Sequence, residues 1–133
     1  MGTTPSVSHT IYNLKNNSSG GNFIRQWVWS GNQNLILNSV YTTDNGPLVF
    51  EPNIPFTNNE TKVLLAYQKD NFARSIGASL ITDTSGNLPV GINELSIGND
   101  GTGGGGAPFN GHIKQLTYYP KRLTNTQLQT LTQ

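Results

Sequence analysis

Acid–base chemistry on this 133-residue chain would have to come from seven carboxylates and two histidines: Asp44, Glu51, Glu60, Asp70, Asp83, Glu94 and Asp100, with His9 and His112. A retaining glycosidase holds two carboxyl groups about 5–5.5 Å apart, a separation that alternate positions on one β-strand supply. No stretch that reads as a strand carries two of the seven. Glu94 and Asp100 are the closest pair in sequence, and a turn lies between them. Neither histidine has a Ser or Cys nucleophile motif around it, so each reads as a solitary side chain rather than a base or a ligand. The expectation is no catalytic residue, no metal and no cofactor.

Binding chemistry has better candidates. Trp27 and Trp29, two apart on a predicted strand, share a face and can form a stacking platform for sugar rings. The favoured reading, however, places at least one of them in the core, since a small β domain needs the apolar area that an indole buries. Asn99 and Asp100 open a loop, Gly98 to Pro108, that contains Gly103 and Gly104 within a run of four glycines. Together Trp27, Trp29, Asn99, Asp100, Gly103 and Gly104 form the candidate ligand-binding set. Calcium is the alternative use of Asn99, Asp100 and Asp83, but EF-hand spacing is missing and Asp before Gly or Thr-Ser is a common turn residue. The glycine run lacks the Lys-Ser/Thr that a phosphate loop requires.

Composition narrows the partners. Charged residues make up 11% of the chain and the net charge is +1, which supplies no basic face for nucleic acid. The apolar runs are too short to span a membrane, and Met1 to Ser8 shows neither the charged nor the apolar region of a signal peptide. Cysteine is absent, excluding a disulfide staple and a thiolate metal site. The length suits one domain, residues 9–133, behind a polar lead, residues 1–8.

The elements that must position these residues read as short strands between turn signals. His9 to Leu14 is the first. Phe23 to Ser30 follows, with Phe23, Trp27 and Trp29 on one face and Ile24 and Val28 on the other. Leu35 to Leu37 and Val40-Tyr41 continue the sheet, Asp44-Asn45-Gly46-Pro47 turns it, and Leu48 to Glu51 is a further short strand. Pro52 and Pro55 bracket an irregular crossing. Thr61 to Lys69, apolar on both faces, is expected to be a central strand, with Asp70-Asn71 as a hairpin loop into Phe72 to Ile76. Ala78 to Thr82 and the pair Leu95 and Ile97 mark two more strands.

The C-terminal stretch is the most patterned. His112 to Tyr119 reads as a strand ended by Pro120, and a bulge at Lys114-Gln115 would put Ile113, Leu116 and Tyr118 on one face. Thr124 and Gln127 have the spacing of a capping box, and Leu123 and Leu128 that of a hydrophobic staple, with Leu131 extending the apolar edge. A short helix pinned onto a sheet is the expected end of the chain. Antiparallel strands with one terminal helix give an all-β sandwich.

Residues Asn110 to Ile113, Leu116 to Leu123, and Leu128, Leu131 and Thr132 resemble the closing segment of the laminin-G-like, concanavalin A-like sandwiches found in bacteriophage virion proteins. The likeness extends upstream through Lys62 to Tyr67, Asp70 to Phe72, Thr82 to Gly86, Leu88-Pro89 and Leu95 to Gly98. Where such domains usually carry Asn-Gly, this chain has Gly77-Ala78. The resemblance implies an antiparallel jelly-roll sandwich and a non-catalytic, lectin-like structural protein at the virion surface. Its partners would be other virion proteins, of capsid or fibre, together with a cell-surface glycan or further copies of itself. Capsid decoration of the head-fibre type is favoured when Met1 is taken as the start, because the first strand begins by about His9. The tip of a tail fibre and a glycan-cleaving depolymerase are the alternatives.

Overall fold

The structure, a computed structural model, describes residues 8–18, 21–29, 35–43, 46–50, 60–100 and 108–133. Eight strands and one helix are formed among them. These are β1 (Ser8–Lys15), β2 (Phe23–Trp29), β3 (Leu35–Thr42), β4 (Gly46–Phe50), β5 (Val63–Gln68), β6 (Asn71–Ile76), β7 (Ser79–Asp83), β8 (Glu94–Ile97) and α1 (Asn125–Leu131). All strand pairings are antiparallel, in a five-stranded sheet of order β4-β3-β2-β1-β8 and a three-stranded sheet of order β5-β6-β7. The fold is therefore mostly β with one short C-terminal helix. The chain divides into two compact units, Met1–Thr57 with Pro89–Ile113, and Asn58–Leu88 with Lys114–Gln133.

The first unit holds the five-stranded sheet. Period-two alternation on β2 sends Ile24, Gln26 and Val28 to a buried face, and Phe23, Arg25, Trp27 and Trp29 to the other. Across the β2–β3 ladder Ile36, Asn38 and Val40 join the buried face, where the Gln26 amide donates to Asn38 Oδ1 at 3.1 Å. Pro47 lies in β4, an edge strand, where its missing N–H is tolerated. The turn expected at residues 44–47 therefore gives way to strand at Gly46 and Pro47, while residues 44–45 and the crossing at 52–59 lie outside the described residues.

A bulge does form in this chain, but in β1. The register shifts between Thr10 and Tyr12, so Ile11 is the extra residue. Without it, a one-residue slip would send Asn13 and Lys15 to the face opposite Ser8 and Thr10. With it, all four share the face of Phe23, Arg25, Trp27 and Trp29.

The second unit is a β5-β6-β7 meander carrying α1. Its central strand is β6, and not β5 as the apolar run at Thr61 to Lys69 suggested. Every β6 residue from Phe72 to Ile76 is buried, including Arg74 and Ser75, whose polarity disguises a central strand. Burial pulls the Arg74 guanidinium down to about 10. The β5–β6 hairpin loop is Lys69-Asp70, one residue earlier than expected, because Gln68 pairs with Asn71. Asp70 takes the positive φ of 55° that this loop demands. Gly77 and Ala78 turn β6 into β7 with φ of 53° and 64°.

At α1 the capping box is present. Gln127 N donates to Thr124 Oγ1 at 3.2 Å, and Thr124 N donates to Gln127 Oε1 at 2.9 Å. Leu128 is buried with Ala66 and Ala73, and Leu64, Leu80 and Leu123 pack around them. Leu131 does not extend this apolar edge; it is exposed, and Thr132 is the buried residue there. The Thr132 hydroxyl donates to Leu128 O, accepts from Ala78 N at 3.1 Å, and pairs with Ser75 Oγ at 2.7 Å.

The strand expected over His112 to Tyr119 is not formed. Residues 112–119 carry no regular element, and Ile113, Leu116 and Tyr118 are exposed rather than gathered on a packed face. Their side chains suit a strand, yet a strand exists only where a ladder partner is supplied. Lys114 instead pairs with Glu60 at 2.7 Å, and Tyr118 lies close enough to Tyr67 to raise its pKa, after burial as the first cause.

Candidate functional site

The face of the five-stranded sheet that carries the tryptophans is built by β2 and bordered by β1 and β3. Along β2 four side chains stack in series. The Arg25 guanidinium lies 5.3 Å from the Phe23 ring centre and 5.0 Å from that of Trp27, and the Trp27 and Trp29 rings are 6.1 Å apart at 19°. Phe23 also stacks on Tyr41 of β3, with centroids 5.1 Å apart and planes within 5°. Cation–π contacts of this kind contribute about 0.5–1 kcal/mol at exposed sites and more when dried. The result is a strip of four aromatic rings with a cation held between two of them.

The two indoles differ in surroundings. Trp27 is half-buried and its Nε1 donates to Ser39 Oγ at 3.0 Å, which fixes the ring. Trp29 is 41% exposed. Neither belongs to the sheet's buried face, which Ile24, Gln26 and Val28 occupy. Sequence reading placed both tryptophans on one side and left Arg25 between them unremarked.

The β1 side of the strip is polar. Register pairs Asn13 with Arg25 and Thr10 with Trp27, and both β1 residues are buried. Asn13 Nδ2 donates to Asp100 O at 2.9 Å, so the loop that follows β8 is tied to this same face. Further ties hold the loop's two ends: Gly98 N donates to Ile11 O at 2.7 Å, Phe109 N to Gly98 O at 2.8 Å, and His9 Nδ1 lies 2.8 Å from Pro108 O. Burial lowers the pKa of Arg25, and the Asp100 carboxylate opposes that shift. Lys15, at the end of the face, bridges to Glu94 at 3.2 Å.

Of the candidate ligand residues, the structure brings Trp27, Trp29 and Asp100 to one face, with Asn99 adjoining Asp100 in the chain. Gly103 and Gly104 lie outside the described residues. Arg25, Asn13 and Thr10 join them, and sequence reading missed all three. A charged residue between aromatics on alternate strand positions was a usable signal for Arg25. Nothing local marks Asn13 and Thr10, because their shared face depends on the bulge.

The carboxylates serve nearby partners. Glu60 pairs with Lys114, and that hydrogen bond and charge hold the carboxyl below its usual range. Asp70 accepts from Gly86 N, Asp83 accepts from Ser85 N, and Glu94 pairs with Lys15. Asp44 and Glu51 lie outside the described residues. Among the described residues no group of three His, Asp or Glu is placed to hold a metal ion, and no helix is long and apolar enough to cross a membrane.

Fold and face together define an antiparallel β module with an aromatic–cation strip on its five-stranded sheet. No family model matches the chain, and no curated protein matches it. Among solved structures it is similar to an S-layer domain-containing protein from Clostridium thermocellum, with a TM-score of 0.50 and 13% identity over 96% of this chain and 64% of that one. This chain thus spans less than two thirds of that one, and at such identity the likeness concerns the fold alone.

Proposed function

We propose that this chain is a non-catalytic, lectin-like adhesion module that holds a glycan against the Phe23-Arg25-Trp27-Trp29 strip and leaves it chemically unchanged. The carrying observation is the strip itself. Trp29, at the end of the stack and 41% exposed, keeps ring surface open to the C–H face of a sugar. Acid–base cleavage needs carboxyls poised with raised or split pKa values, and the carboxylates of Glu60, Asp70, Asp83 and Glu94 are instead engaged in local pairs and turns.

Placement at the surface of a phage particle, as capsid decoration or as the tip of a fibre, rests on the sequence resemblance alone. So does the jelly-roll form of the fold. On this reading the partners are virion proteins on one side and a host or environmental glycan on the other.

The test is binding and turnover on the same glycans. Retention of the purified chain in gels carrying polysaccharide should weaken about tenfold in Trp29→Ala, the loss of one stacking contact. No reducing ends should accumulate with time. Release that is time-dependent and abolished by replacing one carboxylate with its amide makes the protein an enzyme and ends this reading.

A further inference from the structure

The sequence holds two Asn-Gly pairs, Asn45-Gly46 and Asn110-Gly111. An asparagine followed by glycine is set up to modify itself. The backbone nitrogen of the next residue can reach the side-chain carbonyl carbon, and glycine, lacking a Cβ, leaves that nitrogen unhindered and the chain free to turn. In a folded protein the reaction runs only where the backbone can bend into the cyclic intermediate, and a ladder must open before it does so.

Around Asn110 the fold offers no such resistance. Residues 108–119 carry no regular element, and Asn110 and Gly111 are both exposed. Among the described residues no hydrogen bond engages the Asn110 amide or the Gly111 N–H. The backbone anchor before them is Phe109, whose N–H donates to Gly98 O at 2.8 Å. Packing also demands the glycine: a Cβ at position 111 would stand 2.5 Å from Cζ of the Phe109 ring. The residue after Asn110 is thus held to the type that least obstructs attack.

Other asparagines are hindered. Gly46 lies in β4 opposite Thr42, while Asn45 itself lies outside the described residues. Ser18 N, the nitrogen that would attack Asn17, donates to Asn16 Oδ1 at 2.9 Å. Asn38 and Ser39 are buried within β3.

We propose that Asn110 is a self-modification site, converting to aspartate and isoaspartate in the folded protein with water as the only co-reactant. Gly111 N bonds to Asn110 Cγ, the Cγ–Nδ2 bond breaks, and ammonia leaves carrying the proton that Gly111 N gives up. Water then opens the cyclic imide at either carbonyl. Opening at one restores the normal backbone as aspartate, and opening at the other routes the backbone through the former side chain as isoaspartate. Either product carries a new carboxylate, which takes the formal net charge from +1 to zero. Isoaspartate also lengthens the backbone by one carbon directly after the Phe109 anchor. The acidic fraction therefore records the time since the chain was made.

The experiment incubates the full chain, folded and separately unfolded in guanidinium chloride, at mildly alkaline pH. Isoelectric focusing follows the charge, and mass spectrometry of peptides locates each conversion and separates aspartate from isoaspartate. The folded chain should develop a single more acidic band, with conversion at Asn110 and a rate within about threefold of the unfolded chain, since no structure has to open there. Folding should slow Asn45 by about tenfold or more, because Gly46 must first leave its ladder. Asn110→Gln, which keeps the amide on a longer side chain, should abolish the acidic band, and Asn110→Asp should focus with it from the start. Slowing of Asn110 by folding of more than about tenfold overturns the proposal, because the site is then protected. An acidic band that persists in Asn110→Gln overturns it as well. Equal conversion of Asn45 and Asn110 in the folded chain overturns the assignment to this one site.

Discussion

Leu128 is where the terminal helix meets the three-stranded sheet, and Leu128→Ala is the sharpest perturbation of that contact. The side chain is 1% exposed, and the other two buried members of its cluster are Ala66 and Ala73. Alanines cannot reach into the space a leucine leaves, and Leu64, Leu80 and Leu123 sit around its rim. The cavity should persist, which places the cost in the upper part of the usual range, about 3–5 kcal/mol. For a chain of this length that is a fall of about 10–20 °C in thermal midpoint. Urea denaturation gives the free energy directly, and hydrogen exchange at the Thr132 amide, bonded to Leu128 O at 3.2 Å, reports whether the helix undocks first. Leu131→Ala is the internal control: Leu131 is 43% exposed, and its truncation should stay within about 0.5 kcal/mol. A Leu128→Ala loss no larger than the control, with Thr132 protection unchanged, would refute the packing described here.

Thr132→Val should cost about 2–4 kcal/mol by urea denaturation, because it strips the partner from Ser75 Oγ, which is fully buried, and from Ala78 N at once; a neutral outcome would mean that those groups find other partners. Ala78→Gly should raise stability by about 0.5–1 kcal/mol, since Ala78 holds a φ of 64° that a Cβ disfavours, less the added freedom of glycine in the unfolded chain; a lowered midpoint would show that the methyl contributes packing. Glu60→Gln addresses pH. The Glu60 carboxyl sits below its ordinary pKa through Lys114, so its contribution exists above the unfolded value and is lost as pH falls through the lowered one. The pair is exposed, and the substitution should leave the neutral-pH midpoint unchanged in physiological salt while slightly flattening the acid limb of a stability–pH curve.

Much of the fold was legible because local chemistry and tertiary structure agree. The capping box at Thr124 and Gln127 needs only neighbours in the chain, and it is in place. The strands β1, β2, β3, β7 and β8 follow alternation and turn signals to within a residue or two. Two features misled. An apolar run made β5 look central, whereas a strand is central by having two ladder partners, and β6 has them despite Arg74 and Ser75. His112 to Tyr119 has strand composition, and composition cannot supply the neighbour that a ladder requires.

The candidate site divides along the same line. Trp27 and Trp29 share a face because they are two apart, a fact no register can alter. Thr10 and Asn13 are three apart, so alternation alone puts them on opposite faces, and only the extra residue Ile11 returns both to the side of Arg25. The bulge is thus the step that turns an aromatic strip into a site with a polar edge. Bulges commonly re-aim side chains in this way, at the cost of a broken ladder pair. That cost falls here beside Gly98 N, which donates to Ile11 O at 2.7 Å and so satisfies the carbonyl of the very residue the bulge displaces. The loop after β8 therefore does two things from one anchor: it stabilises the bulge, and it brings Asp100 against Asn13 and into the field of Arg25. Polar edge, charge balance and loop placement are consequences of a single inserted residue, which is why the strip was visible in the sequence and the residues beside it were not.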